Sequence, residues 1–307
     1  MSATGSTGAG RVLVVGNATL DRIMELAAYP PEDAEVRALG ARVEPGGNAA
    51  NLARVLVALG HHARLATVFA DEPDGRLAAD LLQAAGVELS ACLRRPGRHP
   101  VSQVWLARAG ASRTIVHHRD LEEFPPQALP RPTGMDWVHF EGREPAAVRE
   151  MLDRVAGERD RPPVSVEIEK PRPDIECLFR GPDVLFFSRG YARARGHATP
   201  EALLEAVAPN APGALLVCAW GGAGAWLREP HGGLYHARAW RPGPVVDTLG
   251  AGDTFNAAFI DARLRGEGPA RALEHAVRIA GLRCSLPGLG ALAAALRGAD
   301  TQKGESA

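Results

Sequence analysis

A glycine-rich turn followed by an acid lies in the run Asp247-Thr-Leu-Gly-Ala-Gly-Asp-Thr-Phe255. An amphipathic segment follows this turn, so we predict that a helix begins there. The first N–H groups of a helix lack partners within it and the helix dipole adds positive charge, so an anion such as phosphate binds at that end. Asp253 can then accept a proton from a hydroxyl, and the run predicts phosphoryl transfer to an alcohol. A capped helix with no ligand is the alternative.

A second group of polar residues begins with Pro45-Gly-Gly-Asn-Ala-Ala-Asn51, just before another predicted helix. Its two glycines let a ligand approach the backbone closely. Asn48 can cap the helix, Asn51 follows about one turn later, and Asp21 lies on a predicted loop over residues 17–30. Amides both donate and accept hydrogen bonds and a carboxylate accepts from two hydroxyls, so these residues predict a polyol site. A capped helix without a ligand is again the alternative.

Composition and charge limit the class of protein. Of the 307 residues 46% are apolar, which suffices for a substantial core, and the net charge of −1 provides no attraction for nucleic acid or an acidic membrane. No segment is apolar enough to span a bilayer, and the four cysteines lie far apart, as expected in a reducing cytoplasm. Lysine occurs only at Lys170 and Lys303, which excludes a Walker A loop. We expect a cytoplasmic protein with no nucleic-acid or membrane partner.

Short apolar segments separated by helical ones indicate the architecture. From residue 130 onward strands and helices alternate, which predicts an α/β fold with a mostly parallel, doubly wound sheet and helices on both faces. Alternating segments at about 32–44 and 98–118 fit poorly inside that sheet and predict a small β-sheet lid with one apolar face. We predict one domain over residues 11–298, between disordered tails at 1–10 and 299–307.

The two runs, in their order and separation, resemble the signature motifs of the PfkB, or ribokinase-like, carbohydrate kinases. Further segments resemble the ketohexokinase branch of that family; they are 29–37, 113–116, 139–143, 164–172, 216–220 and 245–257. The resemblance covers residues 11–290 and implies a three-layer αβα ribokinase-like sandwich. It also implies an ATP-dependent kinase that phosphorylates a ketohexose, which in the ketohexokinase branch is fructose at its 1-hydroxyl.

The same resemblance implies a role for each candidate residue. Asp253 is the implied general base, and the catalytic anion hole is formed by Gly250, Ala251 and Gly252. The implied sugar-binding residues are Asp21, Gly47, Asn48, Asn51, Arg113, Glu141 and Arg143. The residues implied to border the nucleotide are Trp220, Gly221, Gly222, Gly224, Cys284 and Gly288.

The implied cofactors are ATP with Mg²⁺, and relatives commonly hold a monovalent cation such as K⁺ near the anion hole. Many relatives also carry an Asn-x-x-Glu motif whose acid organises waters on Mg²⁺. Here Ser188-Arg-Gly-Tyr191 stands in the matching place. Glu167 and Glu169 are the candidate substitutes, and the metal ligands stay unassigned.

The sequence leaves several alternatives open. Ribose, a fructose 6-hydroxyl, a 2-keto-3-deoxy sugar acid and a nucleoside are acceptors that fit the same motifs. A sugar-binding regulator without turnover keeps the fold but has no need of Asp253. The apolar lid face predicts a homodimer through the two lids, with a covered lid in a monomer as the alternative.

Overall fold

The computed structural model describes residues 8–110 and 112–304. Its strands are β1 (Arg11–Val15), β2 (Thr19–Leu26), β3 (Gly40–Gly46), β4 (His62–Ala66), β5 (Val68–Ala70), β6 (Leu93–Arg95), β7 (Arg98–Ala107), β8 (Ser112–Asp120), β9 (Trp137–Glu141), β10 (Val164–Ile168), β11 (Val184–Ser188), β12 (Leu215–Ala219), β13 (Ala225–Arg228) and β14 (Leu234–Ala237). Its α-helices are α1 (Asn48–Ala58), α2 (Pro73–Ala84), α3 (Pro145–Ala156), α4 (Arg189–Ala194), α5 (Pro200–Val207), α6 (Ala251–Leu264), α7 (Pro269–Cys284) and α8 (Gly288–Gly304). Residues 1–7 of the predicted leader and 305–307 of the predicted tail lie outside the described residues.

Eight strands form the main sheet in the order β14-β13-β12-β11-β10-β9-β1-β4. The pairs from β4 across to β12 are parallel, whereas β13 and β14 run antiparallel at one edge. The inner strands are apolar on both sides, so Val12 and Val14 of β1 enter one buried layer and Leu13 and Val15 enter the other. The carboxyl ends of the parallel strands meet at one edge, which is where open α/β sheets bind ligands.

Helices cover both faces of the main sheet. The helices α1, α2, α6, α7 and α8 pack on the face that contains Val12 and Val14. The helices α3, α4 and α5 pack on the opposite face. This αβα sandwich with a mostly parallel sheet confirms the predicted fold class. None of the helices in the described ranges is both long and apolar enough to cross a membrane.

A separate four-stranded sheet, in the order β3-β2-β7-β8, forms the lid. The central strands β2 and β7 are parallel, and each outer strand pairs antiparallel with its neighbour. In this register Asp21, Ser102 and His117 are cross-strand neighbours, and all three face the cleft between the lid and the main sheet. The lid therefore presents a row of polar side chains to the carboxyl edge of the main sheet.

The prediction of a loop over residues 17–30 is wrong, because Thr19–Leu26 is the lid strand β2. Asp21 faces the cleft, whereas Arg22 on the other face binds Asp74 of α2 at 2.8 Å. Polar side chains on both faces of one strand hide the apolar alternation that identifies strands in a sequence.

Two other boundaries differ from prediction. Residues 32–39 of the predicted lid segment lie outside the strands, and the lid strand of that region begins only at Gly40. At the carboxyl end, α8 continues to Gly304, within the segment 299–307 for which a disordered tail is predicted. A helix propagates at little cost once it has formed, and this segment has no proline before Gly304 to end it.

The helix α6, whose N-terminus carries the predicted base, is held in place by a buried charge in its last turn. Asp261 is fully buried and accepts hydrogen bonds from Nε2 of His61 and Nε2 of His275, each at 2.8 Å. Nε of Arg265 donates a third at 2.7 Å. Burial alone would raise the pKa of Asp261, but these bonds lower it well below the usual value. The carboxylate therefore stays charged and ties α6 to α7 and to the end of α1.

Candidate active site

Two cavities meet at the carboxyl edge of the main sheet. The lid cavity, of about 390 Å³, lies beneath the lid and extends to the start of α1 and to residues 248–253. The glycine-lined cavity, of about 460 Å³, lies between the turn that follows β12 and the helix α7. Arg113, Thr248, Ala251 and Gly252 line both cavities. Ligands in the two cavities would therefore meet at the start of α6.

The start of α6 is open to an anion. Gly250 is the N-cap residue, in a left-handed backbone conformation with φ 73° that favours glycine. No side chain among the described residues caps this helix end. A Cβ added to Gly252 would meet no atom within 4 Å, so there is space for a ligand beside its backbone. The N–H of Ala251 donates to the carbonyl of Thr248 at 3.3 Å. Of the three residues predicted to form the anion hole, Gly252 is therefore the one whose N–H lies beside open space and has no backbone partner outside the helix among the described residues.

Asp253 lies in the first turn of α6, where it is buried and lines the lid cavity. Its Oδ2 accepts a hydrogen bond from Nδ2 of Asn51 at 2.8 Å, which fixes the orientation of the carboxyl group. Burial raises the pKa of Asp253 to about 8, and the charges of Glu169 and Glu141 add to the shift. A carboxylate with a raised pKa is a stronger proton acceptor than an exposed aspartate, as a general base requires.

Asp21, Asn48 and Asn51 form a polar wall of the lid cavity, next to Gly47. Oδ1 of Asp21 accepts a hydrogen bond from Oγ1 of Thr19 at 2.7 Å, and burial raises the pKa of this carboxyl. A Cβ on Gly46 would lie 2.1 Å from Oδ2 of Asp21, and a Cβ on Gly47 would lie 2.5 Å from the carbonyl oxygen of Asn17. Any other side chain at these two positions would displace Asp21 or the backbone.

Asn48 does not cap α1 as predicted, because its side chain turns to two acids at the end of β10. Its Nδ2 donates to Oε2 of Glu167 at 2.9 Å and to Oε2 of Glu169 at 3.3 Å. Nδ2 of Asn256 donates to the other oxygen of Glu167 at 3.1 Å. Burial, and then the neighbouring Asp253, raise the pKa of Glu167 well above its ordinary value. A network of amides and acids therefore connects the polar wall to the predicted base.

The place of the missing Asn-x-x-Glu acid is occupied by a helix cap. Oγ of Ser188 accepts the N–H of Tyr191 at 2.9 Å and so caps α4. The ring of Tyr191 is buried in the apolar layer against Phe187. Neither residue offers a carboxylate, whereas both candidate substitutes, Glu167 and Glu169, line the lid cavity.

Glu141 lies beneath the cleft rather than lining it as predicted. Its Oε2 accepts the N–H of Asn17 at 2.7 Å, and burial raises the pKa of its carboxyl. Arg143 does line the lid cavity, with its Nη1 3.7 Å from Oε1 of Glu141 and its Nε bonded to Glu123. Glu141 therefore positions two residues that line the cavity. It holds Asn17 through the backbone N–H of that residue and Arg143 through its side chain.

Arg113 connects the lid to the start of α6. It lies on β8, lines both cavities, and donates a hydrogen bond from Nη1 to Oγ1 of Thr248. Thr248 is two residues before Gly250, the N-cap of α6. This position is suited to the predicted contact of Arg113 with sugar or phosphate oxygens.

The glycine-lined cavity contains four of the six residues predicted to border a nucleotide. These four are Gly221, Gly222, Gly224 and Cys284. Trp220 lies elsewhere, because the alternation of side chains along β12 turns it toward the opposite layer, where Arg193 lies 6.0 Å from its ring. Gly288 lies against β3, where a Cβ would be 2.9 Å from Oε1 of Glu44.

Other residues line the lid cavity without having been predicted. They are Asn17, Thr19, Ser102, Ile115, His117, Lys170, Arg172, Ser188, Thr248 and Leu249, together with the candidate substitutes Glu167 and Glu169. Lys170, Arg172 and Thr248 belong to segments that carry the family resemblance, so the sequence could have identified them as candidate site residues. Ser102 and His117 reach the cavity only through the pairing register of the lid strands, which the sequence does not reveal.

The chain has counterparts among known proteins. Residues 9–295 match the family model described as pfkB family carbohydrate kinase. The chain is 37% identical over 292 residues to ketohexokinase of Mus musculus, which covers 91% of this chain and 97% of that protein. It is 29% identical over 277 residues to an ATP-dependent ribose-1-phosphate kinase of Halopiger xanaduensis, with 87% of this chain and 89% of that protein covered.

The fold also matches solved structures. Ribokinase of Arabidopsis thaliana, complexed with ribose and ATP, superposes with a TM-score of 0.73 at 22% identity, over 92% of this chain and 94% of that one. At this identity the match bears on the fold alone. Together with the sequence matches it confirms the resemblance that the two motifs indicate.

Replacing Asp253 by Asn is expected to stabilise the protein, and to do so most at high pH. Folding raises the pKa of Asp253 from 3.8 to about 8, so the stability that its protonated form allows at low pH is lost as the pH rises toward 8. We expect the gain in the free energy of unfolding to be roughly 3–4 kcal/mol larger at pH 8 than at pH 5. Urea denaturation of both proteins at the two pH values measures this difference.

The exposed Asp80 of α2 provides the matched control for that experiment. We expect Asp80→Asn to change stability by the same small amount at both pH values. An Asp253→Asn gain that does not depend on pH would show that the buried carboxyl has an ordinary pKa.

Proposed function

The chain belongs to the pfkB family of carbohydrate kinases, and we propose that it transfers the γ-phosphate of ATP to the 1-hydroxyl of fructose. The observation that carries the proposal is the open start of α6 at the junction of two cavities, with Asp253 facing one of them. Phosphoryl transfer requires mainly that the protein position the two substrates and neutralise the charge on the phosphates, and the residues at this junction can do both.

The sugar would occupy the lid cavity with one hydroxyl against Asp253. The triphosphate would reach the start of α6 from the glycine-lined cavity, where the N–H of Gly252 would stabilise the charge on the transferred group. The N–H of Ala251 would join it on exchanging its bond to the carbonyl of Thr248 for one to phosphate. Asp253 accepts the hydroxyl proton as the hydroxyl oxygen attacks the γ-phosphorus, and the bond from that phosphorus to the β–γ bridging oxygen breaks, so that ADP leaves with the electron pair. Arg113 adds positive charge from the lid, and the closed lid excludes the water that would otherwise hydrolyse ATP.

Fructose as the acceptor is supported by the polar wall and by the relatives. The carboxyl of Asp21 and the amides of Asn48 and Asn51 line the lid cavity, and such groups hydrogen-bond the hydroxyls of a polyol. The similarity at 37% identity to a protein named ketohexokinase favours a ketohexose over other sugars.

Mg²⁺ would accompany ATP, and the residues near the junction fit it. Within the described part of the chain, no three or more Asp, Glu, His or Cys side chains form a metal cage. This suits Mg²⁺, which keeps several waters and binds one or two carboxylates plus substrate phosphates. Glu167 and Glu169 both line the lid cavity, and Asn48 and Asn256 hold both oxygens of Glu167. We therefore assign Glu169 as the acid that would hold the waters of the ion. The ion would neutralise charge on the phosphates.

A sugar phosphate is the second candidate acceptor. Arg143, Lys170 and Arg172 line the lid cavity, and a cluster of cations favours a phosphate group on the acceptor. The relative at 29% identity is named a ribose-1-phosphate kinase, which also favours a phosphorylated acceptor. Ribose, a fructose 6-hydroxyl, a 2-keto-3-deoxy sugar acid and a nucleoside are further outcomes of the assay below.

A coupled assay of ADP release with ATP and Mg²⁺, against a panel of these acceptors, tests the proposal. We expect fructose to be turned over, with ³¹P NMR identifying the 1-phosphate. Asp253→Asn is expected to lower kcat by at least about 10²-fold, the contribution of a general base, while Asp80→Asn keeps the full rate.

Each other outcome of this assay has a definite meaning. Turnover of ribose 1-phosphate in place of fructose replaces the acceptor but keeps the base. A thermal shift with sugar but no ADP release contradicts the kinase and favours a sugar-binding regulator. Full activity of Asp253→Asn shows that another group accepts the proton.

We also propose that two chains form a homodimer through their lids. The outer face of the lid exposes Met24, Val43 and Val116 by 42%, 45% and 58%. The strand register places these side chains on one face, opposite to that of Asp21. An exposed group of apolar side chains on a sheet favours burial against a partner.

Sedimentation velocity of Val116→Glu tests the dimer, with Leu234→Glu on β14 at the edge of the main sheet as the control, since Leu234 is 49% exposed. The charge at position 116 is expected to dissociate the dimer because it would be buried without a partner. The wild type and Leu234→Glu are expected to sediment as dimers. A monomeric wild type at micromolar concentration would contradict the proposal.

A further inference from the structure

Three oxygen atoms beside the anion-binding turn form a group of the kind that holds an alkali cation. They are the side-chain Oδ2 and backbone carbonyl of Asp247, just before the turn, and the backbone carbonyl of Leu286, just after α7. Carbonyl and carboxylate oxygens are the ligands that replace the hydration shell of K⁺ in proteins. The K⁺ that the family resemblance implies near the anion hole would therefore be expected at this point.

A guanidinium group already occupies this set of oxygens. Nη1 of Arg283 donates to the carbonyl of Leu286 at 2.8 Å and to that of Asp247 at 3.2 Å, and Nη2 donates to Oδ2 of Asp247 at 2.8 Å. Arg283 is only 1% exposed. Arginine stays protonated in proteins, so its charge is permanent. A monovalent cation does not fit here, because the oxygens are engaged and the guanidinium would repel it.

The guanidinium also fixes the turn through Asp247. While Oδ2 of Asp247 binds Arg283, its Oδ1 accepts the N–H of Leu249 at 2.8 Å. Leu249 directly precedes Gly250, the N-cap of α6. Nη2 of Arg42, on the lid strand β3, lies 3.6 Å from the same Oδ2. Arg283 is therefore connected through one carboxylate both to the backbone of the anion-binding turn and to the lid.

We propose that Arg283 is a built-in replacement for the monovalent cation, so that this chain works without K⁺. The guanidinium supplies the fixed positive charge and orders the turn before α6, which makes Arg283 a positioning residue. Its kinetic test rests on the proposed kinase activity, whereas its effect on stability does not.

The test compares rates of ADP release in potassium, sodium and choline chloride at equal ionic strength. We expect the wild type to show the same rate within about twofold in all three salts, because no site is left for the ion. Arg283→Ala is expected to lose at least about tenfold in kcat in choline chloride, which corresponds to 1.4 kcal/mol in the barrier, and to recover part of it in potassium chloride.

Two further variants separate positioning from general damage to the fold. Arg283→Lys keeps a charge near the oxygens and is expected to retain most of the rate and its independence of K⁺. Arg271→Ala, an exposed arginine on the same helix, is the control expected to behave as the wild type in every salt. Thermal denaturation provides a readout without turnover: Arg283→Ala, and not the wild type, is expected to gain stability in potassium over choline chloride.

A wild-type enzyme that loses about tenfold or more of its rate on replacing K⁺ by choline would overturn the proposal, whatever the variants do. An Arg283→Ala protein that is fully active in choline chloride would overturn it as well. If no acceptor is turned over, the kinase proposal fails, and a potassium-specific rise in the Tm of the wild type would then independently contradict the replacement.

Discussion

The backbone N–H groups at the start of α6 are the constraint on which the rest of the site depends. They attract an anion only while they remain free of protein partners and at a fixed position. Freedom comes from Gly250 and Gly252, which leave the helix end without a cap and the space beside it empty. Position comes from the buried body of α6, which packs between α1 and α7 and is tied to both by Asp261.

Placing acids next to this helix end costs stability, and the surrounding residues limit that cost. Burial raises the pKa of Asp253, Glu167 and Glu141 together, which disfavours their charged forms. Amides from Asn51, Asn48 and Asn256, and the backbone N–H of Asn17, satisfy their oxygens. Such a cluster is typical of a functional site rather than of a stable core, because several of its carboxyl groups have raised pKa values and so take up protons readily. A proton acceptor is therefore available where the two cavities meet.

The sequence predicts those features of the site that local chemistry determines. The turn before Asp253 and the glycines before Asn48 can be predicted from the sequence because both need glycine and both precede a helix. Features that depend on packing cannot be predicted in this way. The side chain of Trp220 turns away from the cavity by strand alternation, and Asp21 lies on a strand that carries a charged side chain on each of its faces. The lid register that brings Ser102 and His117 to the cavity is likewise set by long-range pairing.

The role of Asp253 as proton acceptor is tested by the pH dependence of kcat/KM for the sugar, measured at saturating ATP and Mg²⁺ from about pH 5 to about pH 9. We expect log(kcat/KM) to fall with decreasing pH below an apparent pKa far above the ordinary aspartate value of 3.8, because Asp253 must be unprotonated to act. We also expect this dependence to disappear in the residual activity of Asp253→Asn. A profile that stays flat across the range in the wild type would show that the buried carboxyl at the start of α6 is not the proton acceptor.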